Sequence, residues 1–272
     1  MPFIHRQSAS TLLFTASPCT RASALLPLLF LLLPMMLDAQ IVNIEDKRKR
    51  LDTLGWAGQL DLGGAINKNT SLVTTLRGSL RLDRLAPSGN VLFLADYQLT
   101  RVSDDNALNA GFGHLRYGYE IKEGWRWESF VQVQYNEKLR LNLRFLTGSG
   151  IRRRLYKKSG QRAYIGLLYM YEYDELAGVD ITYRDHRLSS YLTLSASPLA
   201  NLTLASTTYY QPRLPNFKDA RLSSVLSAEL TITNRIRFTT RYSLTYDARV
   251  SRDLPEVPNT TYSWNNGLRW TF

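Results

Sequence analysis

The chain has 272 residues, and its 34 Lys and Arg residues outnumber 23 Asp and Glu residues to give a formal net charge of +11. The single cysteine, Cys19, precedes an apolar run, so the chain after that run can form no disulfide and no cysteine-ligated metal site. The basic excess favours anionic partners such as lipopolysaccharide and phospholipid, and the export signal described next argues against nucleic acid.

The N-terminus has the features of a secretory signal peptide. An apolar run over residues 24–37 follows a segment that contains two arginines, and it is shorter than the roughly 20 residues a membrane helix needs. We predict cleavage after Ala39, so that Gln40 begins the mature chain, with an uncleaved membrane anchor as the alternative. The predicted organisation is a signal peptide (1–39), a periplasmic N-terminal leader (40–54) and an outer-membrane β-barrel (55–272).

Apolar and polar residues alternate through most of the remaining sequence. Between Trp125 and Tyr135, tryptophan, valine and tyrosine occupy one parity, while arginine, glutamate and glutamine occupy the other. Because successive side chains of a strand point to opposite faces, such a segment has one apolar and one polar face. The length of these segments suits tilted membrane strands better than the shorter strands of soluble proteins. Twelve are predicted, beginning near Trp56, Ser71, Val91, Ala110, Trp125, Leu139, Ala163, His186, Asn201, Asp219, Asn234 and Thr260.

The connections between these segments differ at the two ends. One set consists of tight turns, whereas the other includes the longest loops, at 103–109, 174–185, 212–218 and 247–259. Short periplasmic turns, longer external loops and aromatic residues near both strand ends are typical of outer-membrane barrels. The sequence therefore predicts an all-β fold: a transmembrane antiparallel up-and-down β-barrel of about 12 strands in the outer membrane of a Gram-negative bacterium. A soluble exported β-sandwich is the fallback, because its buried faces would also lack charges.

The last strand ends in alternating apolar residues. Phe272, Trp270 and Leu268 are predicted to form the signal by which the outer-membrane barrel assembly machinery recognises the chain. That machinery is therefore an expected partner, beside outer-membrane lipid and lipopolysaccharide.

Several short motifs carry a resemblance to a known family. They are Trp56-Ala57-Gly58, Asn67-Lys68-Asn69-Thr70, Ser79-Leu80-Arg81, Leu143-Arg144-Phe145 and Tyr209-Tyr210-Gln211-Pro212. In this order, over roughly residues 56–272, the chain resembles the domain-of-unknown-function 481 family of salt-induced outer-membrane proteins. The resemblance implies a barrel fold and an outer-membrane location, and it implies no established chemistry.

The histidines give little support to an enzyme. His114 and His186 follow the predicted cleavage site, and their positions four strands apart argue against a shared metal site. A barrel phospholipase needs a serine nucleophile beside a histidine base, but the residues two positions further on are Arg116 and Leu188. We therefore predict no catalytic residue, no metal site and no cofactor, and we expect His114 to join a hydrogen-bond network in the lumen.

Arginine is abundant on the polar parity, which is predicted to line the lumen. Rings of arginine favour anions in pores, whereas arginines paired with carboxylates would plug a narrow barrel. Twelve strands lie between the eight whose interior is filled and the sixteen that leave a channel. The predicted role is structural or envelope-stress related, of the salt-induced type; a narrow anion-preferring pore is the alternative, and a phospholipase the second alternative. The predicted lumen arginines are Arg77, Arg81, Arg126, Arg140, Arg144, Arg237 and Arg241.

Overall fold

Twelve antiparallel strands form one sheet in the described part of the chain, and each strand pairs with its neighbours in sequence. The computed structural model describes Ile44, residues 54–103 and residues 105–271. The strands are β1 (Gly55–Lys68), β2 (Leu72–Leu85), β3 (Gly89–Val102), β4 (Asp105–Lys122), β5 (Trp125–Asn136), β6 (Leu141–Lys158), β7 (Gln161–Leu176), β8 (Thr182–Leu199), β9 (Leu202–Leu214), β10 (Ala220–Thr231), β11 (Ile236–Asp247) and β12 (Thr260–Trp270). Each begins within five residues of its predicted start, and the predicted all-β up-and-down fold is confirmed. The predicted signal peptide, its cleavage site and Phe272 lie outside the described residues.

The sheet has two unlike ends. Connections at the end where β1 begins, here called the turn end, have two to four residues. At the opposite end, the loop end, the connection between β5 and β6 contains a 3₁₀ turn (Glu137–Leu139), and the longest connection contains the short helix α1 (Val250–Asp253). The predicted long loop at 103–109 is wrong, because the backbone pairing of β3 with β4 continues to Val102 and Asp105 and leaves only a tight turn.

The apolar face of the sheet is its exposed face. In β5, the side chains of Val131 and Val133 are 42% and 45% exposed, while those of Gln132 and Gln134 are only 5% and 8% exposed. A soluble β-sandwich would bury the valines and expose the glutamines, since apolar burial drives its folding. The observed arrangement is the reverse, and it is the arrangement of a barrel whose outer face meets hydrocarbon.

The sheet curls until its first and last strands approach one another. Asp61 of β1 lines the same interior cavity as Ser263 and Asn265 of β12. Among the described residues, no backbone ladder joins β1 to β12. The cavity between these two strands is here called the seam cavity.

No helix in the part of the chain that the structure describes is long and apolar enough to cross a membrane.

An apolar layer fills part of the interior, which the alternating pattern did not predict. Aromatic rings fit there because glycines face them. A Cβ atom at Gly166 would lie 2.1 Å from a ring carbon of Tyr191, and one at Gly148 would lie 2.6 Å from a ring carbon of Phe130. The layer consists of Phe130, Leu146, Leu168, Met170, Tyr191 and Tyr209.

Candidate functional site

A network of buried charges occupies the interior at the loop end. Its members come from β6 to β11, the loop that precedes β10 and the loop that follows β11, and each is joined to another by an ion pair. Five arginines face five carboxylates, so the network carries no net charge. We call it the ion-pair cluster; it consists of Arg144, Arg187, Arg213, Arg221, Arg249, Glu172, Asp174, Asp185, Asp219 and Asp247.

Arg187 lies at the centre of the cluster and is fully buried. Its Nε donates to Oε2 of Glu172 at 3.0 Å, and its Nη2 donates to Oδ1 of Asp219 at 3.2 Å. Its Nη1 donates to the backbone carbonyls of Gln211 and Asp219 at 3.0 and 3.2 Å. Its guanidinium therefore links strands β7, β8 and β9 and the loop before β10 through one planar group, a geometry that arginine provides and lysine does not.

Two further arginines extend this network across the interior. Arg144 of β6 binds Asp174 of β7 in bidentate fashion, with Nε to Oδ1 at 2.8 Å and Nη2 to Oδ2 at 2.6 Å. Arg221 of β10 donates to Oδ2 of the same Asp174 at 3.1 Å, to Asp247 of β11 at 2.5 Å, and to Glu172. Strands that do not pair in the sheet are thereby connected through side chains alone.

The loop between β11 and β12 covers the cluster. Nη2 of Arg249 donates to Oδ2 of Asp185 at 2.7 Å, and its guanidinium lies 3.6 Å from the ring centroid of Tyr183. Val250, Leu254 and Val257 of this loop pack with other apolar residues of the loop end. The complete apolar cluster is Leu139, Leu141, Leu176, Val250, Leu254 and Val257, with Ile181 and Tyr183 against it.

A second polar layer lies further inside the barrel. Glu128 accepts a hydrogen bond from Nη1 of Arg116 at 3.3 Å and another from Oη of Tyr191 at 2.9 Å. The ring nitrogen Nδ1 of His114 lies 3.0 Å from Oε1 of Gln132, which places His114 in a buried hydrogen-bonded position. The cavity beside these groups has a volume of only about 30 Å³, room for about one water molecule.

The segment predicted to be an N-terminal leader contributes the side chain of Ile44 to the interior. Ile44 is buried and packs with Leu92 and Leu94 of β3 and with Phe112 of β4. It also lines the small cavity that contains His114. The two leucines therefore face inward, although their side chains are apolar.

The seam cavity has a volume of about 660 Å³. Its charged lining residues are Arg77 and Arg241 with Asp61 and Asp96, so two cations face two anions. The rest of its lining combines apolar side chains, such as Leu62, Phe112 and Val225, with hydroxyl and amide groups. These include Ser79, Gln98, Gln134, Asn136, Ser223, Ser243, Thr245, Ser263 and Asn265.

The seven arginines predicted to line the lumen do not form one site. Arg144 belongs to the ion-pair cluster, while Arg77 and Arg241 line the seam cavity. Arg140 lies in the loop after the 3₁₀ turn, with a left-handed backbone (φ 52°), and its Nε is 3.5 Å from Oε1 of Glu256.

The other three predicted arginines lie toward the turn end, each beside a carboxylate. Arg81 pairs with Asp83, Arg126 lies 3.7 Å from Glu120, and Arg237 lies 3.4 Å from Glu229. The described arginines of this set are thus distributed between both ends and the seam.

The predicted set of lumen arginines contained only Arg144 of the cluster, and it missed the other four arginines and all five carboxylates. Glu172 and Asp174 alternate with tyrosines in β7, so the same two-residue period could have identified them. Asp185, which we assigned to a loop, lies inside β8. Arg249 is in a loop, where no strand period applies.

Histidines and carboxylates meet the requirements of a metal site only where several of them lie close together. Among the residues that the structure describes, no group of three or more histidine, cysteine, aspartate or glutamate side chains could hold a metal ion. His186 lies on the outer face of β8, where its ring is 5.7 Å from that of Tyr169 and 5.4 Å from that of Tyr171.

Several solved structures are similar to this chain at low sequence identity. The NanC porin shares 13% identity, with 79% of this chain and 100% of that chain covered and a TM-score of 0.43. The translocator domain of the autotransporter NalP from Neisseria meningitidis shares 11% identity over 84% of this chain and 92% of that chain, with a TM-score of 0.38. OccK11 (OpdR) of Pseudomonas aeruginosa shares 12% identity over 79% of this chain and 67% of that chain, with a TM-score of 0.37.

Sequence comparison identifies the family. A search of curated proteins gives no match. Residues 60–267, which are more than half of the chain, match the family described as Protein of unknown function, DUF481. The chain therefore belongs to the DUF481 family, as its motif order predicted.

Proposed function

We propose that this protein is a non-enzymatic barrel of the Gram-negative outer membrane with a filled interior, acting in the structure or stress adaptation of the envelope. The observation that carries the proposal is the charge-balanced ion-pair cluster, which occupies the interior where an anion channel would need unpaired arginines. Outer-membrane lipid and lipopolysaccharide surround such a barrel, and the barrel assembly machinery inserts it.

The exposed apolar face supports the membrane location. The outward side chains of Leu115, Leu167 and Leu192 are exposed on three different strands, and soluble monomers rarely expose extensive apolar surfaces to water. In hydrocarbon the same apolar surface is favourable, whereas a charged side chain on it would cost about 2–4 kcal/mol at the midplane.

Fractionation and gel mobility test the location. We expect the protein in the outer-membrane fraction, with a folded band that changes its mobility after boiling. The mature N-terminus, read by mass spectrometry, is expected at Gln40. A protein recovered from the periplasm without a mobility change would overturn the proposal.

Planar-bilayer recording tests the filled interior. We expect no steady conductance from the purified barrel, because the ion-pair cluster and the apolar layer beneath it leave only small spaces on that side of the interior. Stable channels at all voltages would refute this, and assay of fatty-acid release from vesicles would expose a phospholipase if the absence of an enzyme is wrong.

The seam cavity favours a second candidate function, a narrow pore. Its volume of about 660 Å³ and the hydroxyl and amide groups in its lining would admit a small polar solute. Because Arg77 and Arg241 are matched there by Asp61 and Asp96, such a pore would discriminate less between anions and cations than the arginine count of the sequence predicts. Reversal potentials under a salt gradient distinguish this weak preference from a strong anion preference.

A further inference from the structure

The outer face of β6 to β12 contains a groove near the turn end, with a volume of about 950 Å³. Its floor consists of small side chains that point outward from neighbouring strands. Larger outward side chains, among them Leu194, Leu204 and Leu226, stand beside the floor. The floor residues are Ala163, Ala196, Ser206, Ala228 and Thr240.

Aromatic side chains border the groove. Tyr156, Tyr242 and Trp264 line it, and Nε1 of Trp264 donates to Oγ1 of Thr240 at 2.8 Å, which fixes the indole ring. Tyr156 lies two residues from the turn end of β6, where aromatic rings typically meet lipid headgroups, whereas Tyr242 and Trp264 lie near the middle of β11 and β12. The groove therefore has the chemistry of a site for acyl chains, with one end close to the headgroup region.

Positive charge lies at that same end. Tyr156, Gln161 and Arg162 line the groove. The last two residues of β6, Lys157 and Lys158, are exposed and pair with Arg162 and Gln161 in the sheet. Glu123, in the neighbouring turn between β4 and β5, is paired with Arg154 at 2.6 Å. The two lysines can therefore meet an anionic group at the membrane surface.

We propose that this groove binds the acyl chains of an anionic phospholipid whose phosphate is held by Lys157 and Lys158. The inference rests on the membrane location proposed above and adds a defined lipid site to it. A phosphate attracts exposed lysines at the membrane surface, and each basic residue there changes binding about fivefold. A zwitterionic lipid carries no net charge, so its acyl chains would bind in the groove but its headgroup would be attracted less strongly by the two lysines.

Native mass spectrometry of the mature barrel in detergent tests the site with an equimolar mixture of phosphatidylglycerol and phosphatidylethanolamine. We expect retained phosphatidylglycerol, and roughly 25-fold weaker retention after Lys157→Gln and Lys158→Gln together, from about fivefold for each lysine. The matched control is Lys68→Gln with Lys218→Gln, two exposed lysines at the loop end, which should leave retention unchanged.

Filling the groove is the independent test of the acyl-chain half of the site. Ala228→Phe should abolish retention of both lipids, whereas Ala95→Phe, on the outer face of β3 and away from the groove, should not. If Ala228→Phe does not give the folded gel band, Ser206→Leu occupies the same space and takes its place.

Two results would overturn the proposal: equal retention of the two phospholipids by the unaltered barrel, or phosphatidylglycerol retention that neither the lysine nor the groove variants reduce. Retention of added lipid A in preference to both phospholipids would also contradict it. A chain without heat-dependent gel mobility fails the location proposal instead, so the two failures are distinguishable.

Discussion

Replacing Arg187 by methionine tests whether the ion-pair cluster holds the barrel interior together. The substitution keeps much of the side-chain volume but removes the donors to Glu172 at 3.0 Å, to Asp219 at 3.2 Å and to two backbone carbonyls. The cluster would then carry one uncompensated negative charge in a site where Arg187 is fully buried. Breaking a buried pair in this way typically costs about 3–5 kcal/mol of stability.

A double substitution separates the lost pair from the uncompensated charge. Combining Arg187→Met with Glu172→Gln removes one cation and one anion, so the cluster is neutral again. We expect the double variant to lose less stability than the sum of the single variants, by about 1–3 kcal/mol. Additive losses would show that the two side chains do not interact.

Urea unfolding of the barrel refolded into phospholipid vesicles measures these losses, with the folded gel band and tryptophan fluorescence as readouts. The matched control is Arg237→Met, since Arg237 and Glu229 are 3.4 Å apart but each is nearly half exposed. That pair should contribute less than about 1 kcal/mol. If Arg187→Met costs no more than Arg237→Met, the cluster does not stabilise the interior and the filled-barrel reasoning is refuted.

Two further changes follow from the packing of the interior and of the loop end. Gly166→Val should lower stability by about 1–3 kcal/mol in the same urea assay, because its Cβ would lie 2.1 Å from the Tyr191 ring. The control Gly63→Val should lower stability much less, since no atom lies within 4 Å of the Cβ position there. Equal losses of stability would contradict the packing argument. A hydrogen bond from Arg252 holds the pKa of Asp253 below its ordinary value. The stability that this hydrogen bond gives to the loop between β11 and β12 is therefore fully present above the ordinary carboxyl pKa, and it is lost as the pH falls through the lowered pKa. Limited proteolysis of this loop should therefore be constant between pH 7 and pH 5 and increase only once the pH falls below the ordinary carboxyl pKa of about 4; an increase already at pH 6 would contradict this cause.

The strands could be predicted because membrane strands impose a strict rule. Hydrocarbon excludes charge from one parity, so the sequence from Trp125 to Tyr135 alternates clearly enough to place β5 at its observed start. Loop lengths were less predictable, since strands pair beyond the membrane without needing an apolar face. That is why β8 begins at Thr182, inside a segment that we expected to be loop.

The interior was predicted less well, because a lumen imposes no comparable rule. Inward positions accept Leu94 and Met170 as readily as Gln132, provided that their volumes fit the neighbouring side chains. Partner choice adds a second difficulty. Arg221 binds carboxylates on β7 and β11, and no local pattern relates positions so far apart in sequence.

The interior charges of the barrel are balanced, so the basic composition of the chain has to be explained by cations elsewhere. An excess of positive charge over the whole sequence suggests an anion-preferring lumen, but the ion-pair cluster is neutral and the seam cavity has equal numbers of cations and anions. Exposed cations such as Lys157, Lys158 and Arg153 lie at the turn end instead, and Arg153 is 4.9 Å from the ring centroid of Trp125. Basic side chains beside aromatic rings at a strand end face a membrane surface rather than a pore. The positive charge therefore favours binding of anionic lipid over selection of anions in transit.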